Sequence, residues 1–268
     1  PASGKGDPSP GTAGEAPAAA RPPKMPRVDV REHGATKAGA EQVMDRRLFM
    51  QLLVFRLAEE AAPNGLLSDL GKAFEARQVA HVLYEDVNDP RGIAVLTWSE
   101  DPSHFVTRVR PVLADRAFQA LRLRPEMTMI GRTYSSGHEH DLVYWLLDKP
   151  QRNVMADDAR FGVWYPLRRN GAFAQLDPKE QASVLREHAL IGRAYGESGL
   201  AHDVRLACHG LDASDNEFVI GLIGKDLHPL SHVVQRMRST RQTSEFISQM
   251  GPFFVGHVAR RWTPASGG

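Results

Sequence analysis

The feature that most constrains the fold of this chain is an internal echo. Shifted by 125 positions, Ile93, Val95, Asp101, Phe105, Val109, Val112, Ile130 and Gly131 fall on Phe218, Ile220, Asp226, Leu230, Val234, Met237, Val255 and Gly256. Apolar positions land on apolar positions, and the Asp and Gly punctuation stays in register. Self-similarity at a fixed spacing marks a duplicated unit that needs its copy to cover an apolar face. In the first copy, residues 47–55 form a β-like run and residues 66–77 a helix. Residues 79–83 and 93–98 read as strands on either side of the turn-forming Asn88-Asp89-Pro90-Arg91-Gly92. Phe105, Val109 and Val112 have helical spacing, and residues 127–131 read as a closing strand. This β-α-β-β-α-β order predicts an α+β fold of two tandem ferredoxin-like halves. Their antiparallel sheets would bury one face against each other and carry helices outside.

The halves are expected at 41–150 and 151–262, behind a flexible tail over 1–40 that is rich in Pro, Ala and Gly and poor in large apolar residues. Lys plus Arg number 33 against 32 Asp plus Glu, so no global field calls for nucleic acid or a membrane surface as partner. No apolar run approaches membrane-spanning length and no secretory signal is apparent, so a soluble cytoplasmic protein is expected. The single cysteine, Cys208, excludes an internal disulfide or a multi-cysteine metal site and reads as a small buried residue. No phosphate loop, dinucleotide fingerprint or nucleophile elbow is present.

The chemistry-bearing residues lie in the second half. Asp177-Pro178-Lys179-Glu180 opens a helix, with Asp177 as cap and Pro178 in the first turn, that should reach about Gly192. Val184, Leu185, His188 and Gly192 then share an inward stripe. An inward imidazole fits a core residue as well as a ligand. Tyr165 sits in a strand-like stretch, 163–167, that ends in Arg168 and Arg169, a phenol beside two guanidinium groups. In Asp203-Val204-Arg205-Leu206-Ala207-Cys208-His209, alternation sets Arg205, Ala207 and His209 on one face, where an unpaired buried charge would be costly. His228 and His232 have the i, i+4 spacing of a metal pair, but without a third ligand in the sequence they read as surface. His138-Glu139-His140 also reads as polar surface.

Tyr165-Pro166-Leu167-Arg168-Arg169, the 186–195 segment around His188, Asn216-Glu217-Phe218-Val219, Met237-Arg238 and Gly251-Pro252-Phe253-Phe254-Val255-Gly256, taken in order, resemble the chlorite dismutase and coproheme decarboxylase family. The resemblance is strong over about 160–258 and weak before it. It implies a dimeric α/β barrel of two ferredoxin-like halves, assembled as a homo-pentamer or other ring. The implied ligand is a haem or coproheme, with His188 as proximal ligand to its iron. Tyr165 matches the tyrosine that decarboxylating members oxidise to a radical. Arg169 and Ser244 match propionate contacts, and Arg205 falls at the distal position, with His209 as a substitute. Decarboxylases often carry an uncharged distal group, whereas chlorite-converting members carry arginine. Against chlorite chemistry, Asn170-Gly171-Ala172-Phe173 replaces the tryptophan pair of those enzymes, and the interval from His188 to Arg205 is about four residues longer than in the family. The expected activity is therefore peroxide-dependent decarboxylation of iron coproporphyrin to haem b. The alternatives are conversion of chlorite to chloride and dioxygen, or a haem-binding protein without catalysis.

Overall fold

The computed structural model describes Gly4 and residues 25–59 and 65–265. Most of the tail expected over 1–40 lies outside the described residues. The folded unit begins at Arg31, ten residues before the expected boundary. Glu32 explains the difference: its carboxylate accepts from the Ser135 amide at 2.9 Å and the Arg132 guanidinium at 3.2 Å. Its short strand Glu32–His33 pairs with Val43–Met44. These anchors are polar, so a search for apolar residues passes over them.

Among the described residues, eight strands and four helices form two β-α-β-β-α-β runs, and the short strands Leu121–Leu123 and Ile247–Met250 extend the same sheet. The first comprises β1 (Phe49–Leu57), α1 (Leu66–Ala76), β2 (His81–Asp86), β3 (Gly92–Ser99), α2 (105–113, a π turn running into an α turn) and β4 (Met129–Arg132). The second comprises β5 (Phe161–Arg169), α3 (Pro178–Glu197), β6 (His202–Ala207), β7 (Phe218–Gly224), α4 (Leu227–Arg238) and β8 (Phe254–Trp262). Within each half the strands run 4-1-3-2, as β4-β1-β3-β2 and β8-β5-β7-β6. Antiparallel pairing of β2 with β8, and of β4 with β6 at Arg132↔Ala207, closes the two sheets into one barrel. The closing strand of the first half starts at Met129 because Pro125–Met127 takes a 3-10 turn.

Alternation along each strand sorts the apolar residues into three cores, and a fourth, small cluster joins Phe173, Val184 and Phe246 beside α3. Met50, Leu52, Val82, Tyr84, Leu96, Trp164, Val204, Leu206 and Phe254 point into the barrel and pack as one cluster drawn from both halves. The outer face of the first sheet, with Phe55, Leu83, Ile93 and Val95, is covered by Leu70 and Phe74 of α1 and by Phe105, Val109 and Val112 of α2. The outer face of the second sheet carries Val163, Tyr165, Leu167, Ile220 and Leu222 beneath α3 and α4.

The repeated glycines stand at the two seams. A Cβ on Gly131 would lie 2.7 Å from the Leu206 Cβ across β4 and β6, and one on Gly256 would lie 2.8 Å from the Tyr84 Cβ across β8 and β2. Only glycine lets strands of opposite halves approach this closely, which accounts for its recurrence at the same point of each copy. Gly131→Ala should destabilise the chain by about 1–3 kcal/mol through overpacking. Denaturant unfolding measures this, and an unchanged midpoint would show that the seam yields.

Candidate functional site

Sheet register creates the floor of the site. Ile220 of β7 pairs with Tyr165 on one side and with Arg205 on the other. The three therefore form one row on the outer face of the second sheet, with the phenol and the guanidinium two strand spacings apart, about 10 Å. The next rows are Leu167–Phe218–Ala207 and Val163–Leu222–Asp203. The floor is thus apolar at its centre, with a phenol at one margin and charges at the other.

The roof is α3. Asp177 caps it, accepting from the amides of Lys179 at 2.8 Å and Glu180 at 3.0 Å. The helix runs to Glu197, past the expected end near Gly192, and this extra length takes up the long interval before Arg205. Its inward stripe is Gln181, Val184, His188, Ile191, Gly192 and Tyr195; Leu185, expected on that stripe, points outward and is 42% exposed. Of twenty residues only Val184 is fully buried, whereas the shorter α4 buries Leu230, Val233 and Met237. So α3 is held by its ends and flanks more than by a packed underside, and His188 looks from it toward the sheet. The His188 Nδ1 atom is buried and has no hydrogen-bond partner. A buried ring nitrogen without a partner is costly, and a metal ion would satisfy it.

The electrostatics tie these residues together. Burial lowers the His188 pKa, and the Arg205 charge lowers it further, against weaker opposing pulls from Asp203 and Glu187. The ring is therefore neutral, the state that ligates metals. Burial pushes the Tyr165 phenol well above its ordinary value, with a smaller opposing effect from Arg238, so it keeps its proton. The Tyr165 ring stacks on Phe253 with centroids 4.5 Å apart.

Arg205 is 42% exposed, and its Nε lies 3.0 Å from an Asp203 carboxylate oxygen. Burial works against its charge, but Asp203, Tyr134 and Glu139 outweigh that and raise its pKa. Burial likewise works to raise the Asp203 carboxyl, and Arg205 and Lys149 overcome it and hold the group below the usual range. The Lys149 ammonium donates to Asp203 at 2.7 Å and lies 4.4 Å from the centre of the Trp145 ring. The helical stretch over 144–155, between β4 and β5, thereby fixes the charged margin of the floor. Tyr134 and Lys149 join the site only in three dimensions, since no motif spacing links them to Arg205, whereas Asp203 shares its strand face by two-residue alternation.

Arg169 lies at the far end of β5. It packs over Phe173 at 4.3 Å and Phe218 at 4.9 Å, and Glu217 accepts from its backbone amide at 2.7 Å and its Nε at 3.2 Å. His209 lies past the end of β6, edge-on to Phe218 at 5.5 Å, and so borders the Phe218 row instead of the Tyr165 row. Ser244 lies in the turn after α4, where its hydroxyl donates to the Thr240 carbonyl at 2.9 Å. Cys208 is buried, and its thiol donates to the Asn216 carbonyl at 2.9 Å. Glu139, expected at the surface, is buried, and accepts from the hydroxyl and amide of Ser136 at 2.7 and 3.1 Å. A tight serine turn wraps the carboxylate, so a charge that looks solvent-bound in the sequence folds inward. A separate cavity of about 590 Å³ also borders Phe253, but its charges satisfy one another, Arg56 with Asp89 at 3.4 Å and Arg124 with Asp86 at 3.8 Å. On the α3 side, by contrast, the His188 Nδ1 atom has no partner.

A family description for chlorite dismutase matches residues 114–259, more than half of the chain. The chain belongs to the chlorite dismutase family. No curated protein matches it in sequence. Among solved structures, it is similar to a haem-binding protein from Thermus thermophilus, at 20% identity, covering 80% of this chain and 91% of that one, with a TM-score of 0.62. It is also similar to chlorite dismutase from Candidatus Nitrospira defluvii in complex with imidazole, at 12% identity, covering 81% and 93%, with a TM-score of 0.62. Identities this low carry the fold, and in this family the fold is the closed barrel described above. Among the described residues no helix is long and apolar enough to cross a membrane.

Proposed function

We propose that this protein binds iron coproporphyrin between α3 and the second sheet and decarboxylates two of its propionates with peroxide, giving haem b. The observation that carries the reading is a neutral, buried phenol and a cation in one register row, under a helix whose imidazole has an uncommitted buried nitrogen. His188 would hold the iron, which activates peroxide when bound. Tyr165 would carry oxidation to the substrate: it gives up its phenolic hydrogen atom, then recovers one from a propionate side chain. In each cycle a propionate, one peroxide and one proton become a vinyl group, carbon dioxide and two waters. Arg169 and Ser244 would seat propionate groups, and Arg205 would hold peroxide by charge without competing for the iron. The assembly expected with this function is a ring of identical subunits.

Titrating hydrogen peroxide into the protein loaded with iron coproporphyrin, and weighing the tetrapyrrole, tests the reading. Stepwise loss of two carboxyl groups supports it, and a porphyrin of unchanged mass refutes it. Conversion of chlorite is the second reading, favoured by the half-exposed guanidinium of Arg205. It predicts dioxygen release on an oxygen electrode. Neither product would leave a haem-binding protein without catalysis. In any of these cases Arg205→Ala should weaken binding of a small anion such as fluoride to the ferric, porphyrin-loaded protein by at least about tenfold, the value of one charged hydrogen bond. If His209 were the distal group instead, the loss would follow His209→Ala.

A further inference from the structure

We infer that the outer surface of α4 carries a second metal site, a His228/His232 chelate for a borderline divalent transition ion such as zinc, with Tyr195 of α3 orienting one imidazole. Residues four apart on a helix present their side chains side by side. Here the two ring centres are 5.9 Å apart. A ligating nitrogen about 2.1 Å from an ion places its ring centre about 3.2 Å away, so two rings sharing an ion have centres at most about 6.4 Å apart. The observed spacing falls within that limit, and both histidines are exposed, so small side-chain rotations bring them toward tetrahedral geometry.

The structure adds what the spacing alone lacks. The Tyr195 hydroxyl lies 2.5 Å from Nδ1 of His232. With the ion on Nε2, the Nδ1 proton is donated to the phenol oxygen. An outer partner of this kind fixes the tautomer and aim of a ligating imidazole. Tyr195 is itself held, half-buried against the cluster beneath α3 and α4. Among the described residues no group of three or more His, Cys, Asp or Glu gathers at this pair or anywhere else, so the two imidazoles are the whole protein donor set of the site. Water completes the coordination, which makes the site exchangeable. Tyr195 lies two helical turns beyond His188 on the same stripe, so an ion on α4 also fastens α3.

The test titrates zinc chloride into the full chain, free of any histidine tag, with calorimetry and the thermal midpoint as readouts. One equivalent of zinc should bind and raise the midpoint. His228→Ala and His232→Ala should each weaken binding at least tenfold, and Tyr195→Phe about tenfold. Circular dichroism establishes that the variants, altered at or near the surface, remain folded. Equal zinc affinity in the double variant His228→Ala/His232→Ala, or no binding to the parent chain, overturns the proposal.

Discussion

Tyr165→Phe should bind iron coproporphyrin within about threefold of the parent protein and lose carbon dioxide release by at least ~10³-fold, as expected when a group acting in the reaction itself is removed. The substitution deletes one oxygen from a ring that is 5% exposed and stacked on Phe253, so the packing survives. What is lost is a hydrogen atom to give. Burial keeps the phenol protonated, so a phenolate does not enter the argument at any working pH. Mass spectrometry of the tetrapyrrole after peroxide checks the outcome. Turnover equal to the parent would transfer the role to another side chain, with Tyr134 a candidate, since it too is shielded from solvent and feels the Asp203 charge.

His188→Ala should weaken iron porphyrin by at least ~100-fold, roughly 2.7 kcal/mol, while iron-free porphyrin binds as before. That contrast separates a ligand from a packing residue, because loss of packing would weaken both. Imidazole in solution should restore the absorption band of the ligated iron. The pH dependence has a definite sign. The folded-state pKa of His188 is lowered, so protonation displaces the iron only below the ordinary imidazole value, and ligation persists as pH falls through it. Without porphyrin, the unfolded chain takes up this proton first. The contribution of His188 to stability is therefore complete above the ordinary imidazole value and is lost as pH falls from there through the lowered folded value. A ligation midpoint above the ordinary value would refute the assignment.

The residues whose placement was legible are those set by local rules. Asp177 and Pro178 announce the start of α3, and the stripe through His188 follows from 3.6-residue periodicity. Arg205 separates from Val204 and Leu206 by two-residue alternation, and the latter two do enter the barrel core. Leu185 departs from expectation because a stripe one residue wider serves as well in sequence, and only contact with the sheet chooses its edge. Glu139 departs from it because a carboxylate is read as wet unless its donors are known, and here they come from a turn that the sequence does not announce. The pairing of His232 with Tyr195 joins residues on different helices, with no spacing rule between them.

What the sequence by itself determined is the repeat, and with it two β-α-β-β-α-β halves, since periodicity and glycine punctuation are properties of short segments. The tertiary structure decided the closure of those halves into one barrel and the row that sets Tyr165 beside Ile220 and Ile220 beside Arg205. It also decided which charges hold Arg205 in place. Strand register depends on which faces find apolar cover, and a shift of one residue would turn Tyr165 into the barrel. That choice is made by the packing of the whole molecule, because the free energy that fixes it comes from contacts between residues far apart in the chain.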